Sequence, residues 1–267
     1  MIKINGKICN FKQYNDGSTR AQCQIPTNHF VNITWLYDNN EELLLLYYLV
    51  KHLQEHDVNC IDLEVPYLLN ARQDRVKNSS ELFTLKYSCN LINSLNLHSI
   101  KVYDPHSYVS TALLNKVIID MPTMEICDIL NYHPNAILGF TDEGGYKRYH
   151  SYFQMPFIFG IKQRNWETQK IESLQLGGAK HMIAGHDIII CDDILSRGST
   201  LFMMIKALKE LGANKIYAWI SHCENTVLEP HINGQSLLEI PNFIDRIYTT
   251  NSIWRANHPK IQIIRSF

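Results

Sequence analysis

Two adjacent carboxylates, Asp192 and Asp193, stand just before a small-residue run, Ser196-Arg197-Gly198-Ser199-Thr200, in a chain of 267 residues. Ahead of them, Ile188-Ile189-Ile190 within Asp187–Cys191 is the unbroken apolar stretch that a strand buried on both faces requires. A helix is expected behind them over Thr200–Leu211, closed by Gly212 at the C′ position. That order sets the loop at the carboxyl end of a strand, where open α/β sheets bind ligands. The first N–H groups of a helix have no intrahelical partners, so Gly198, Ser199 and Thr200, with the backbone of Arg197, suit a phosphate. Two carboxylates side by side can accept from the two vicinal hydroxyls of a ribose. The chemistry suggested is recognition of a ribose bearing a 5′-phosphoryl group, although a solvated strand end followed by a capped helix shows the same pattern.

Other reactive side chains fall at comparable places. Arg72 and Gln73, with Asp74 and Arg75, follow a strand expected over Cys60–Pro66, and a guanidinium there can grip phosphate through two N–H groups or simply pair with a surface acid. His106 comes after the strand expected over Ser99–Tyr103, between Asp104 and Ser107. Asp142 lies in Thr141-Asp142-Glu143-Gly144-Gly145, beyond the strand Ala136–Phe140. Lys162 and Arg164 open a polar stretch running to Lys170, which composition alone reads as a loop and which a closing lid would also resemble.

These positions need elements to hold them. The pattern predicts a buried helix over Glu41–Glu55, a second over Ser80–Leu95 with Glu81 in its first turn, and a strand over Lys215–Ile220. Strands alternating with helices predict an α/β fold built on mostly parallel sheets covered on both faces. A domain boundary is expected near Leu130–Ala136, giving domains of residues 1–132 and 133–267. The net charge of −1 supplies no bulk basic field, so phosphate binding must be local and nucleic acid is not an expected partner. Seven cysteines without a CxxC pair argue against a disulfide framework or zinc ribbon and for a reducing compartment. Met1–Asn10 lacks a secretory apolar core, and the run Leu43–Val50 is too short to span a bilayer; a cytoplasmic protein without membrane contact is expected.

Cys191–Leu201 resembles the phosphoribosyl-diphosphate motif of type I phosphoribosyltransferases and of ribose-phosphate pyrophosphokinases. Further segments favour the second family. Val65–Arg75, with its Arg72-Gln73-Asp74-Arg75, resembles that family's ATP-binding segment, as does Asp104-Pro105-His106-Ser107. Thr141–Gly145 resembles its second acidic-glycine loop, Lys162-Gln163-Arg164 its basic catalytic loop, and Thr249–Ile253 a late strand end. The order agrees from about Asp38 onward, and phosphoribosyltransferases lack the Arg-Gln-Asp-Arg segment. The resemblance implies two phosphoribosyltransferase-like, Rossmann-like domains, each a mostly parallel sheet flanked by helices. It also implies transfer of the β,γ-diphosphoryl group of ATP to the anomeric hydroxyl of a ribose 5-phosphoryl acceptor, with AMP released. By that resemblance Asp16, Arg72, Gln73, Asp74 and His106 contact ATP. His106 and Asp142 contact Mg²⁺, while Lys162, Arg164 and His106 are catalytic. Asp192 and Asp193 hold the ribose hydroxyls, and Ser196, Arg197, Gly198, Ser199 and Thr200 cradle the 5′-phosphoryl group. The expected partners are small-molecule substrates and further copies of the chain, as a homodimer or larger homo-oligomer.

The sequence departs from the family at two places. Tyr14-Asn15-Asp16-Gly17-Ser18 stands where the family, which is longer at the N-terminus, has an aromatic-Pro-Asp-Gly-Glu loop reaching adenine across a subunit contact; Asp16 and Gly17 match and Ser18 does not. In the phosphate loop, Ser196-Arg197 replaces an acidic residue and Thr, a local charge change of about +2. The long Arg197 fork suits a bulkier anion than ribose 5-phosphate. This points to an acceptor such as ADP-ribose, giving ADP-ribose 1-pyrophosphate for rebuilding NAD, as in a phage variant of the family; ribose 5-phosphate stands beside it. A catalytically inactive regulatory paralogue binding a pyrophosphokinase partner, or a phosphoribosyltransferase, are the other readings.

Overall fold

The computed structural model describes residues 1–27, 29–164 and 171–267, with the backbone alone at 163, 164, 171 and 172. Contact density divides the chain into two compact units, Met1–Met121 with Phe267, and Pro122–Ser266. The division falls ahead of the boundary expected at 132/133, so the helix Thr123–Tyr132 goes with the second unit. No helix among the described residues is long and apolar enough to cross a membrane.

In the first unit the strands are β1 (Ile2–Ile4), β2 (Lys7–Ile8), β3 (Phe11–Gln13), β4 (Thr19–Ala21), β5 (Phe30–Trp35), β6 (Cys60–Val65), β7 (Ser99–Tyr103) and β8 (Val117–Asp120). The helices are α1 (Glu41–Glu55), α2 (Thr84–Asn93) and α3 (Tyr108–Leu113). The main sheet runs β2-β1-β5-β6-β7-β8, parallel from β5 to β8, while β3 and β4 form a separate antiparallel hairpin. Helix α1 spans the predicted residues. Leu46, Leu49, Val50 and Leu53 recur at helical spacing and are buried, and Asn39 accepts from the N–H groups of Glu41 and Glu42. Helix α2 is shorter than the predicted Ser80–Leu95, and Glu81 lies outside it. Asn78 captures the N–H and hydroxyl of Ser80, and Glu81 accepts from the N–H of Lys77, so a side-chain-stabilised turn replaces the first helical turn.

The second unit contains α4 (Thr123–Tyr132), β9 (Ala136–Phe140), α5 (Glu143–Tyr149), β10 (Phe157–Arg164), β11 (Ile171–Gly178), β12 (Asp187–Leu195), α6 (Ser199–Glu210), β13 (Ile216–Cys223), β14 (Arg246–Thr250) and β15 (Ile261–Arg265). Its sheet runs β11-β10-β9-β12-β13-β14-β15, parallel throughout except for the β10–β11 pair. Ile188, Ile189 and Ile190 are fully buried, as a strand covered on both faces requires. Both units are thus α/β with mostly parallel sheets flanked by helices.

Two expectations about strand ends are corrected. Strand β12 does not stop at Cys191. Its ladder with β13 continues through Asp192↔Ile220 and Ile194↔His222 to Leu195↔Cys223, so both aspartates lie inside the strand. Nor does Lys162 sit in a loop: Lys162 pairs with Leu174 and Arg164 with Ile171 in the β10–β11 ladder, and residues 165–170 lie outside the described residues. A hydrogen-bonded ladder extends as long as each strand finds a partner edge, and polar side chains do not stop it.

Gly160 in β10 lets this edge pack tightly. A Cβ there would stand 2.5 Å from the Thr141 carbonyl oxygen and 3.1 Å from Leu174 Cδ1. Since a carbonyl at the end of β9 cannot step aside cheaply, Gly160→Ala is expected to cost about 1–3 kcal/mol, and thermal unfolding should show a midpoint lowered by roughly 2–4 °C per kcal/mol. An unchanged midpoint would mean that the two strands separate freely here.

Candidate functional site

The carboxyl ends of β9, β10 and β12 are adjacent in the sheet and carry the second unit's predicted residues. Thr141 and Asp142 follow β9. Asp142 has extended backbone (φ −160°) and caps α5, accepting from the Gly145 N–H at 2.9 Å. Its other oxygen accepts from Lys162 Nζ at 2.6 Å. Lys162 is largely enclosed, while Asp142 keeps over a third of its side chain exposed. Burial alone would raise the Asp142 carboxyl; the Lys162 ammonium, the Gly145 N–H and the Arg148 charge outweigh it and hold the carboxyl below its ordinary value.

Asp192 and Asp193, being consecutive in a strand, leave it on opposite faces. The structure therefore does not present them as a side-by-side pair. Asp192 accepts from the Thr141 hydroxyl at 2.6 Å and from the Asp193 N–H at 3.0 Å. Asp193 is 2% exposed and pairs with Arg148 of α5, Nη1 to Oδ1 2.7 Å. Leaving a buried carboxylate without its cation typically costs about 3–5 kcal/mol, so Arg148 is part of what keeps β12 charged at this depth.

The loop after β12 follows the sequence expectation closely. Helix α6 opens at Ser199, one residue early. Its cap, Gly198, is left-handed (φ +84°), and a Cβ there would meet Leu237 Cδ2 at 2.9 Å, so glycine is required twice over. Ser196 Oγ lies 3.1 Å from Thr226 Oγ1, and Ser199 Oγ lies 2.9 Å from His231 Nε2. Arg197 points both Nε and Nη2 at Glu229 Oε2, at 2.9 and 2.7 Å. Thr200 is half-buried in the first turn of α6.

The first unit places its own predicted residues as follows. Arg72, Gln73 and Asp74 follow β6, and His106 follows the neighbouring parallel strand β7, so both segments leave the same edge of that sheet. Arg72 is exposed; Asn70, with positive φ (58°), turns the chain so that the Gln73 N–H reaches its carbonyl. The Gln73 amide donates to the Arg75 carbonyl, and Arg75 Nε lies 3.3 Å from Asp74. His106 is half-buried just before α3. Asp16 sits in the turn between β3 and β4, where its carboxylate takes the N–H and hydroxyl of Ser18; those bonds lower its pKa. The side chain of Arg164 lies outside the described residues.

The predicted residues on β9, β10 and β12 therefore come together, joined by Thr141 and Arg148. Glu229, His231 and Thr226 join them from between β13 and β14, a stretch with no motif spacing to betray it. Among the described residues no three His, Cys, Asp or Glu side chains are arranged to hold a metal ion. The oxygen donors Asp142, Asp192 and Thr141 nevertheless suit Mg²⁺, which takes one or two carboxylates and fills its shell with phosphate and water.

A phosphoribosyl transferase domain model matches residues 131–243. The chain is similar to the ribose-phosphate pyrophosphokinase of Listeria ivanovii, 27% identical over 224 residues, covering 80% of this chain and 66% of that protein. It is also similar to ribose-phosphate pyrophosphokinase 2 of Enterococcus faecalis, at 24% identity over 95% of this chain and 79% of that protein. The match to the Listeria protein thus spans slightly under two thirds of that relative's length. The crystal structure of phosphoribosylpyrophosphate synthetase from Mycobacterium smegmatis superposes with a TM-score of 0.76 over 97% of this chain and 86% of that one, at 16% identity, which is a likeness of fold.

Asp192 is the electrostatic oddity of the site. Burial first, then the charges of Asp193 and Asp142, push its carboxyl from 3.8 up to about 8 against the Thr141 hydroxyl and Arg148. Because the folded value exceeds the unfolded one, the group's contribution to stability is full below pH 3.8 and is lost as pH rises through about 8. The ligand-free protein should therefore lose stability across this range, and Asp192→Asn should flatten the loss. Denaturant midpoints at a series of pH values test this; parallel curves for the two proteins would remove the raised pKa.

Proposed function

We propose that this chain, which is similar to ribose-phosphate pyrophosphokinases, transfers the β,γ-diphosphoryl group of ATP to the anomeric hydroxyl of a ribose 5-phosphoryl acceptor. The hydroxyl oxygen forms a bond to the β-phosphorus and gives up its proton to solvent, the bond from that phosphorus to the α,β-bridging oxygen breaks, and AMP leaves with that oxygen. Such a transfer calls for positioning and charge neutralisation rather than a covalent intermediate. The observation that carries the reading is the neighbourhood of a glycine-capped phosphate loop on β12 and the Lys162–Asp142 pair on β10 and β9.

The roles are those that the resemblance implies. The N–H groups of Gly198, Ser199 and Thr200 at the start of α6 hold the 5′-phosphoryl group. Asp192 and Asp193 are assigned to the ribose hydroxyls; Asp192, half-buried and hydrogen-bonded to Thr141, is the better placed, since Asp193 is buried against Arg148. Lys162 supplies positive charge to the transferring group, with Arg164 assigned the same task. Arg72, Gln73, Asp74, His106 and Asp16 serve ATP. Mg²⁺ would neutralise phosphate charge; in the second unit Asp142 would hold it, and in the first unit His106 keeps the metal role that the resemblance implies. The acceptor itself is ribose 5-phosphate or the larger ADP-ribose, and the fork of Arg197, paired with Glu229 here, favours the larger because its shape suits a bulkier anion.

Incubation with Mg²⁺–ATP and either acceptor, read by AMP release, tests the reading. AMP is expected with ADP-ribose above the level with ribose 5-phosphate, and Lys162→Ala should lower kcat by about 10²-fold or more, the scale of one lost transition-state contact. AMP with neither acceptor would sink the enzymatic reading and favour a regulatory subunit.

A further inference from the structure

The phosphate loop is tied to one neighbour. Its side chains at Ser196, Arg197 and Ser199 reach Thr226, Glu229 and His231 in the stretch between β13 and β14. That stretch is anchored from below. Val227, Leu237 and Leu238 are buried, Ser236 donates to the Val227 carbonyl and forms a capping box with Glu239, and Asn225 accepts from the N–H groups of Arg255 and Ala256. Leu237 also lies against Gly198. Glu229 is thus presented from a fixed wall, whereas Arg197 is a long fork on a loop; of the two, Arg197 is the one able to swing. Both side chains are about half exposed, 53% and 47%, and an ion pair in such a setting is weak and replaceable.

We propose that Glu229 acts as an internal anion that holds Arg197 until an acceptor with a second phosphoryl group displaces it, making the Arg197–Glu229 pair the determinant of acceptor selectivity. The proposal rests on the reading of the loop as the acceptor's phosphate site. A single 5′-phosphoryl group is satisfied by the N–H groups that open α6 and leaves the pair intact. A diphosphoryl group extends past them and offers Arg197 two oxygens in the geometry its fork prefers. The freed carboxylate then faces the same anion and subtracts from its affinity, so Glu229 sets how tightly the larger acceptor is held as well as which acceptor is chosen.

Calorimetric titration of the full chain with ADP-ribose and with ribose 5-phosphate, without ATP and at fixed ionic strength, separates the possibilities. Glu229→Gln keeps the shape of a half-exposed side chain and should tighten ADP-ribose binding about five- to tenfold, the scale of one charge-assisted contact, while moving ribose 5-phosphate less than about twofold. In an Arg197→Thr background the same substitution should have no effect on ADP-ribose, because the two residues act as a pair. Equal tightening of both ligands, or an undiminished effect without Arg197, would overturn the proposal while leaving the phosphate site standing. Binding of neither ligand to the unaltered chain would overturn the reading of the site and the proposal with it.

Discussion

The parallel pairing of β9 with β12 forces negative charge together. It brings Thr141 and Asp142 alongside Asp192 and Asp193, setting three carboxylates at one end of a sheet whose strands are buried on both faces. Coulomb repulsion in such surroundings is far stronger than in water, so the cluster is stable only if the charge is met locally. Two cations answer it, Arg148 on Asp193 and Lys162 on Asp142, and the burial and repulsion left over push the Asp192 carboxyl up. Much of the second unit serves that arrangement. Helix α5 is capped by Asp142 and carries Arg148, β10 carries Lys162, and Gly160 lets β10 approach the Thr141 carbonyl.

The loop between β12 and α6 depends on a different constraint. Gly198 must be left-handed and must leave room for Leu237, so the loop's backbone is shaped from within by its own φ and from outside by the wall between β13 and β14. That wall then takes up the loop's polar side chains. The loop's side chains are hydrogen-bonded to that wall, while the first N–H groups of a helix have no intrahelical partners.

Local signals carried much of this. Helix α1 was legible to the residue, because a largely apolar stretch without Pro or Gly acts locally, over a few turns. The strands β6, β7 and β9 and the Gly198-capped start of α6 were legible for the same reason. Helix α2 was overextended because Asn78 competes for backbone that propensity alone assigns to the helix. Strand β12 was cut short because acidic residues suggest an end, whereas the partner strand β13 decides where a ladder stops.

By itself, the order of residues determined the α/β class and the glycine-containing loop between β12 and α6, because these follow from periodicity and helix termini, while Asp142 and Lys162 were marked only by the resemblance of their segments to a family. Tertiary structure alone decided that Asp192 and Asp193 face opposite ways, that Arg148 neutralises one of them, and that Arg197 is already held by Glu229. Those facts depend on which strand lies beside which and on a wall over thirty residues farther along the chain. Distances of that kind are set by sheet order and burial, and no local pattern of residue types encodes them.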